Sequence, residues 1–216
     1  MRADNMRQRF FSTAFTPAVQ AEQARHGSRA AYARLARQDD GGDVGGGLTS
    51  DECAFIGARD SFYLGTVSET GWPHVQHRGG PPGFVRTIDA RTLAWADFSG
   101  NRQYVSIGNA AGNSRVALIF MDYPARRRLK VLGRMSAFEI GDRPDLRAEL
   151  EVAGYGGKIE HAIEVAVEAF DWNCSKHITP RFTAAEVEAV MGPLERQIAD
   201  LRAVGRSGPN SGAQPQ

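Results

Sequence analysis

The sequence predicts a mainly β protein, an antiparallel barrel or sandwich with peripheral helices. Three observations carry this. Short apolar and β-branched runs follow one another between turn signals from Arg59 to Phe138. The segment Ile159 to Trp172 alternates, with Ile163, Val165, Val167 and Ala169 on one face and Glu160, Glu164 and Glu168 on the other, as in a long antiparallel strand with one wet face. No strand-GxGxxG-helix unit occurs, which argues against a Rossmann domain.

A chain of 216 residues can bury a substantial core as one domain with extensions. Its formal net charge of +1 creates no overall field for nucleic acid or membrane. Lys130, Lys158 and Lys176 are the only lysines among 26 basic residues, an arginine bias that runs through the tails and reads as coding composition. Cys53 and Cys174 belong to no CxxC pair, so they give no zinc framework and read as free thiols of a reducing cytoplasm. No apolar run approaches the ~20 residues that span a bilayer. Met1 to Phe11 lacks the continuous hydrophobic region of a secretory signal.

Residues 1–47 read as a helical extension and a glycine-rich linker. Phe10, Phe11 and Phe15 form an apolar patch, Pro17 to Glu22 opens a helix, and Ser28 to Arg37 forms another, with Ala31, Tyr32 and Leu35 on one face. Gly41 to Gly47 is a linker; as a phosphate loop it lacks both a preceding strand and a following Lys-Ser or Lys-Thr. The main domain covers residues 48–182. It starts with a capping box, Thr49 with Glu52, ahead of Ala54, Phe55 and Ile56.

Phe62 to Val67 is the first strand, Glu69-Thr70-Gly71 turns the chain, and Pro73 to His77 returns as a hairpin. Phe84 to Ile88 and Thr92 to Ala96 are the next strands, with Asp89-Ala90-Arg91 as their turn. Asp97 to Arg102 breaks the pattern. Gln103 to Ala111 is a helix ended by Gly112-Asn113, and Val116 to Met121 is a strand buried on both faces. Arg128 to Met135 is another strand, with Gly133 a bulge position. Pro144 to Val152 is a helix with Asp142 as its cap, and Gly154 to Gly157 is a loop. Residues 183–204, capped by Thr183, form an amphipathic helix through Val187, Val190, Leu194, Ile198 and Leu201; residues 205–216 read as a disordered tail.

The chemistry centres on the return strand of the first hairpin, where His74, His77 and Arg78 lead into Gly79-Gly80-Pro81-Pro82-Gly83, a run that cannot continue a central strand. Cations beside exposed backbone suit a phosphate-bearing ligand. Arg78 and Arg102 can neutralise a phosphate with forked hydrogen bonds, and the helix after Asn101 adds free N–H donors. The competing structural readings are an Arg78 ion pair with Asp97 or Glu69, a solvated Arg102, and a barrel role for His77. His74 is assigned to the face away from the site, Trp95 to the core, and His161 and His177 to isolated positions with no metal. No acid, base or nucleophile, Cys174 included, is singled out as catalytic.

The order hairpin, Trp72 to Arg78, strand, Asp97 to Arg102, helix, Asn113 to Phe120, then Val131 to Arg134, resembles the pyridoxamine 5′-phosphate oxidase-like proteins over roughly residues 48–182. The resemblance implies an FMN-binding split β-barrel that works as a homodimer with the flavin at the subunit interface. It places flavin contacts on Gln76, His77, Arg78 and Gly79, with the phosphate cluster at Gly100, Asn101, Arg102 and Gln103. Asp97 and Phe98 lead into that cluster, and Phe98 or Trp172 shields the ring. Arg128 reaches the flavin of the second subunit, and Trp172, Asn173 and Arg181 close the site. The chain departs from the family in two places: Gly79 to Gly83 replaces an apolar run ending in lysine, and Gln103 replaces a lysine. The implied activity is oxidoreduction between FMN and a small molecule, reduced nicotinamide or oxygen. Its rivals are a deazaflavin reductase on the same fold, a flavin- or haem-binding protein without turnover, and a barrel without cofactor that uses Gln76 to Phe84 as a dimer surface.

Overall fold

A computed structural model describes residues 6–36, 46–172 and 175–206. Seven strands, β1 (Ser61–Val67), β2 (Pro73–Gly79), β3 (Val85–Asp89), β4 (Thr92–Phe98), β5 (Arg115–Asp122), β6 (Arg127–Glu139) and β7 (Ile159–Trp172), form one antiparallel sheet in the order β2-β1-β5-β6-β7-β4-β3. The helices are α1 (Met6–Ala14), α2 (Pro17–Arg25), α3 (Arg29–Leu35), α4 (Ser50–Gly57), α5 (Val105–Gly112), α6 (Pro144–Leu150) and α7 (Ala184–Arg206).

The sheet curls because its apolar face is covered by itself. Phe62 of β1 packs edge-on against Trp95 of β4 with ring centroids 5.0 Å apart, although β5, β6 and β7 lie between them in the sheet. Phe84 and Phe120 meet the same Phe62 ring at 5.9 and 5.1 Å. All four rings are fully buried, and burying such side chains stabilises by about 1.5–3 kcal/mol each. The mainly β, antiparallel barrel expected from the strand pattern is therefore observed, and it is the split barrel that the resemblance implies.

The capping box is present: the Glu52 carboxylate accepts the Thr49 N–H at 2.9 Å, and the Thr49 hydroxyl accepts the Asp51 N–H. The same carboxylate accepts the Trp172 indole N–H at 2.6 Å, which ties α4 to the end of β7.

Several expectations are corrected. The helical extension packs on the barrel: Met6 enters the main core, and Phe10 and Phe11 of α1, a helix that the sequence reading does not include, pack on Ala169 of β7. The alternation along the strand predicts Ala169 on the core face. An extra residue, Glu168, between the partners of Leu132 and Gly133 reverses the alternation, so Phe170 returns to the core and Ala169 faces α1. The bulged strand is β7, while Gly133 allows the close approach: a Cβ there would lie 2.6 Å from the Ala166 carbonyl oxygen.

The outer face of β7 is not uniformly wet either, since α6 covers Ala162 through Leu146 and Leu150. That helix begins at Pro144, and Asp142 lies in a preceding 3₁₀ turn rather than at its cap. Helix α5 begins two residues late because Arg102 and Tyr104 adopt left-handed backbone, φ +57° and +51°, which a helix cannot include. It ends at Gly112-Asn113 as expected, with Asn113 the cap residue in extended backbone, φ −144°. The last helix continues through Gly205 to Arg206. The remaining tail, Asn173, Cys174 and most of the glycine linker lie outside the described residues. No helix among the described residues is long and apolar enough to cross a membrane.

Candidate functional site

Strand β2 continues beyond His77 to Gly79, and its exposure alternates so that His74, Gln76 and Arg78 are half-buried while Val75, His77 and Gly79 are exposed. His74 therefore shares the inward face with Gln76, opposite to the assignment made from sequence, because residues two apart on a strand point the same way. Gln76 and Arg78 face β4 and α5. The Arg78 guanidinium donates to the Asp97 carboxylate of β4, and the Gln76 carbonyl oxygen accepts the Ser106 hydroxyl of α5 at 2.9 Å.

A cleft of about 230 Å³ opens at this junction, lined by Gln76, Arg78, Asp97, Phe98, Asn101 and Arg102 together with Gly100, Gln103, Tyr104 and Glu160. Its floor is a strained loop. The Asn101 side chain accepts the Gln103 N–H at 3.2 Å, with the left-handed Arg102 inside that turn and the left-handed Tyr104 beyond it. Left-handed backbone costs a non-glycine residue roughly 1–2 kcal/mol and persists where surrounding contacts hold it. Here the holding contacts are Arg102 Nε donating to the Tyr104 phenol at 2.9 Å and the phenol donating to Glu160 at 3.2 Å. No side chain caps α5, so its first N–H groups, next in the chain to the cleft residue Tyr104, are not taken up by a side-chain cap.

The electrostatics are balanced. Asp97 is buried, and that burial pushes its carboxyl above the ordinary value against the opposing pull of Arg78 and His161. His161 lies between two acids, with Nδ1 3.6 Å from Asp97 and Nε2 3.3 Å from Glu139. Burial also pushes the Glu160 carboxyl up, but hydrogen bonds from Ser99 and Tyr104 and the charge of Arg102 outweigh it and hold the group below its ordinary value. Arg78 Nε is buried without a hydrogen-bond partner, so this guanidinium retains donor capacity beside the cleft. Arg102 is 69% exposed and meets Glu160 only at 3.7 Å.

The structure thus brings together eight of the expected residues, Gln76, Arg78, Asp97, Phe98, Gly100, Asn101, Arg102 and Gln103. The others lie elsewhere. His77 meets the Tyr63 ring edge-on at 5.7 Å on the outer face, and Arg181 lies over the Tyr123 ring at 5.0 Å. Tyr63 and Tyr123 share a hydrogen bond that raises the Tyr123 phenol above its ordinary value, so His77 and Arg181 belong to one outer cluster. Gly79 ends β2 on that exposed face. Arg128 faces away from the core side of β6 and has a buried Nε without partner. Trp172 packs on Phe55 at 4.6 Å and Arg127 at 4.5 Å, at the α4 end.

Sequence reasoning missed Tyr104, Ser106 and Glu160. The alternation predicts Glu160 on a solvated face; only the β4–β7 register, with Asp97 opposite His161, brings it to the cleft. Among the described residues no group of three or more His, Cys, Asp or Glu could hold a metal ion.

A family model described as pyridoxamine 5′-phosphate oxidase matches residues 50–170. No curated protein sequence matches. Solved structures similar to the chain include HupZ from Group A Streptococcus, in its H111A form, with 14% identity, covering 58% of this chain and 99% of that one at a TM-score of 0.44. A pyridoxinephosphate oxidase family protein from Clostridium acetobutylicum, related to general stress protein 26, has 15% identity, covering 63% and 94% at 0.43. An FMN-binding protein from Syntrophomonas wolfei has 11% identity, covering 56% and 81% at 0.41. With a family model that runs from the first turn of α4 nearly to the end of β7, the chain belongs to the pyridoxamine 5′-phosphate oxidase family.

Proposed function

We propose that the protein is an FMN-dependent oxidoreductase acting on a small organic molecule, and that it works as a homodimer. The observation that carries this reading is the meeting of Arg78, Asn101 and Arg102 at the uncapped start of α5, in a chain of this family. A flavin phosphate would bring roughly 1.5–2 negative charges near neutral pH, as other phosphate monoesters do. Arg102 would take it, since an exposed guanidinium can leave Glu160 at little cost. The unpartnered Arg78 Nε and the first N–H groups of α5 would add donors without breaking the Arg78–Asp97 pair.

Size supports the same assignment. The cleft is smaller than the ~300–1,000 Å³ of pockets that bury a drug-sized ligand, so it suits a phosphate and its linker, with the ring system outside it. In the proposed dimer a second subunit supplies the other wall, and the outer cluster of His77, Tyr63, Tyr123 and Arg181 is the surface offered to it. The flavin would supply the electron transfer; the chain's residues hold the phosphate, orient the ring and exclude water.

The test is the absorption spectrum of the purified protein before and after denaturation, with the released molecule identified by mass. Released FMN supports the proposal. Released deazaflavin would retain the fold and change the cofactor. A colourless protein that takes up no added FMN would overturn the reading.

A further inference from the structure

Helix α7 stands apart from the barrel. Its start is fixed locally by a second capping box, in which Thr183 accepts the Glu186 N–H at 3.2 Å and Glu186 accepts the Thr183 N–H at 2.7 Å. From Ala184 to Arg202 every residue except Gly192 is exposed. A helix with Gly192 and Pro193 in its interior is weak by itself, and most helical stability in proteins comes from packing an apolar face. The face is there: Ala184, Val187, Met191, Leu194, Ile198 and Leu201 follow one another at spacings of 3, 4, 3, 4 and 3, the a/d seam of a coiled coil. Leu194 is 48% and Leu201 66% exposed, so the seam has no partner among the described residues. Pro193 falls on the opposite side, where the bend it imposes turns its convex side to solvent.

We propose that α7 pairs with α7 of a second copy of this chain as an antiparallel two-helix coiled coil. Antiparallel pairing sets Leu194 against Ile198 of the second copy and Met191 against Leu201 of the second copy, each twice by symmetry. The flanking charges choose this direction. At the positions beside the seam stand Glu188, Glu195 and Arg202 on one side and Val190 and Gln197 on the other. In the antiparallel pair Glu188 meets Arg202 of the second copy twice, and one Glu195 meets its own copy. In a parallel pair Val190 meets Glu195 and Gln197 meets Arg202, with no pair of opposite charges. Such flanking charges set partner orientation in coiled coils. This pairing does not depend on the cofactor.

The test is cross-linking in the full chain with Cys53→Ala and Cys174→Ala. Leu194→Cys and Ile198→Cys chains are co-expressed, one carrying an affinity tag, and oxidised. The expected result is a mixed disulfide dimer, with no disulfide dimer when either variant is expressed alone. Absence of the mixed dimer, or equal cross-linking of each variant with itself, overturns the proposal. The direction is checked independently by charge. Glu188→Arg or Arg202→Glu alone lowers the mixed-dimer yield, and the double exchange restores it; equal yields in all three overturn the antiparallel arrangement. The α7 positions are on the exposed helix, so the substitutions made there leave the barrel core untouched, and Cys53→Ala, which packs against that core, is common to every chain compared.

Discussion

Arg78 on the edge strand β2 and Asp97 on β4 form an ion pair across the open seam of the sheet, where no ladder joins β2 to β3. The side chains are 16% and 9% exposed, so water contributes little to holding either charge. The pair fixes the width of the cleft and sets the partner with which any anion must share Arg78.

Removing Asp97 alone leaves a buried guanidinium without its counter-charge. Asp97→Ala is expected to destabilise the fold by about 3–5 kcal/mol, while Arg78→Met/Asp97→Leu recovers most of that loss. Urea denaturation of the single and double variants measures both. A single variant as stable as the parent would show that the pair is not desolvated in solution.

The pH dependence has two opposed contributions. The folded pKa of Asp97 is raised above 3.8, so the folded state binds more protons; its contribution is present below 3.8 and is lost as pH rises through the raised value. Asp145 behaves oppositely. Hydrogen bonds from Arg143 lower it to about 2, and its contribution is present above 3.8 and lost as pH falls through about 2. Asp97→Asn should remove a fall in stability just above pH 3.8, and Asp145→Asn should remove a rise between about 2 and 3.8. Denaturation midpoints across pH 2–6 distinguish the two slopes.

Arg102→Ala is expected to weaken FMN affinity by about 1.5–3 kcal/mol, the value of a hydrogen bond to a charged group. Fluorescence titration gives the affinity. An unchanged dissociation constant would remove Arg102 from the phosphate site.

Gly133→Ala should cost about 1–3 kcal/mol by overpacking, because the added Cβ would meet the Ala166 carbonyl oxygen and Val165 Cγ1 at 2.6 Å each. Neither neighbour is a free side-chain end, since Val165 is in the core and Ala166 O is backbone. The shift in the denaturation midpoint reads it directly.

Trp172→Phe keeps the ring contact with Phe55 but leaves the buried Glu52 Oε1 without its donor. A loss of about 1–3 kcal/mol in unfolding free energy follows, and Glu52→Gln in the same background should recover part of it.

What the sequence by itself determined was local. The Thr49–Glu52 capping box depends on residues three apart, and the strands on alternation over a few residues, so both are legible without any distant partner. The loop from Asp97 to Gln103 was legible for the same reason: its residues line one cleft because they are neighbours in the chain. Tertiary structure decided the rest. Which way Gln76 and His77 point depends on which face of β2 meets α5, and the presence of Glu160 and His161 at the site depends on the β4–β7 register. The reversal at Glu168 depends on how closely Gly133 lets β6 approach. Those facts are set by packing between segments tens of residues apart. A one-residue change in pairing exchanges the two faces of a strand while leaving its local pattern unchanged.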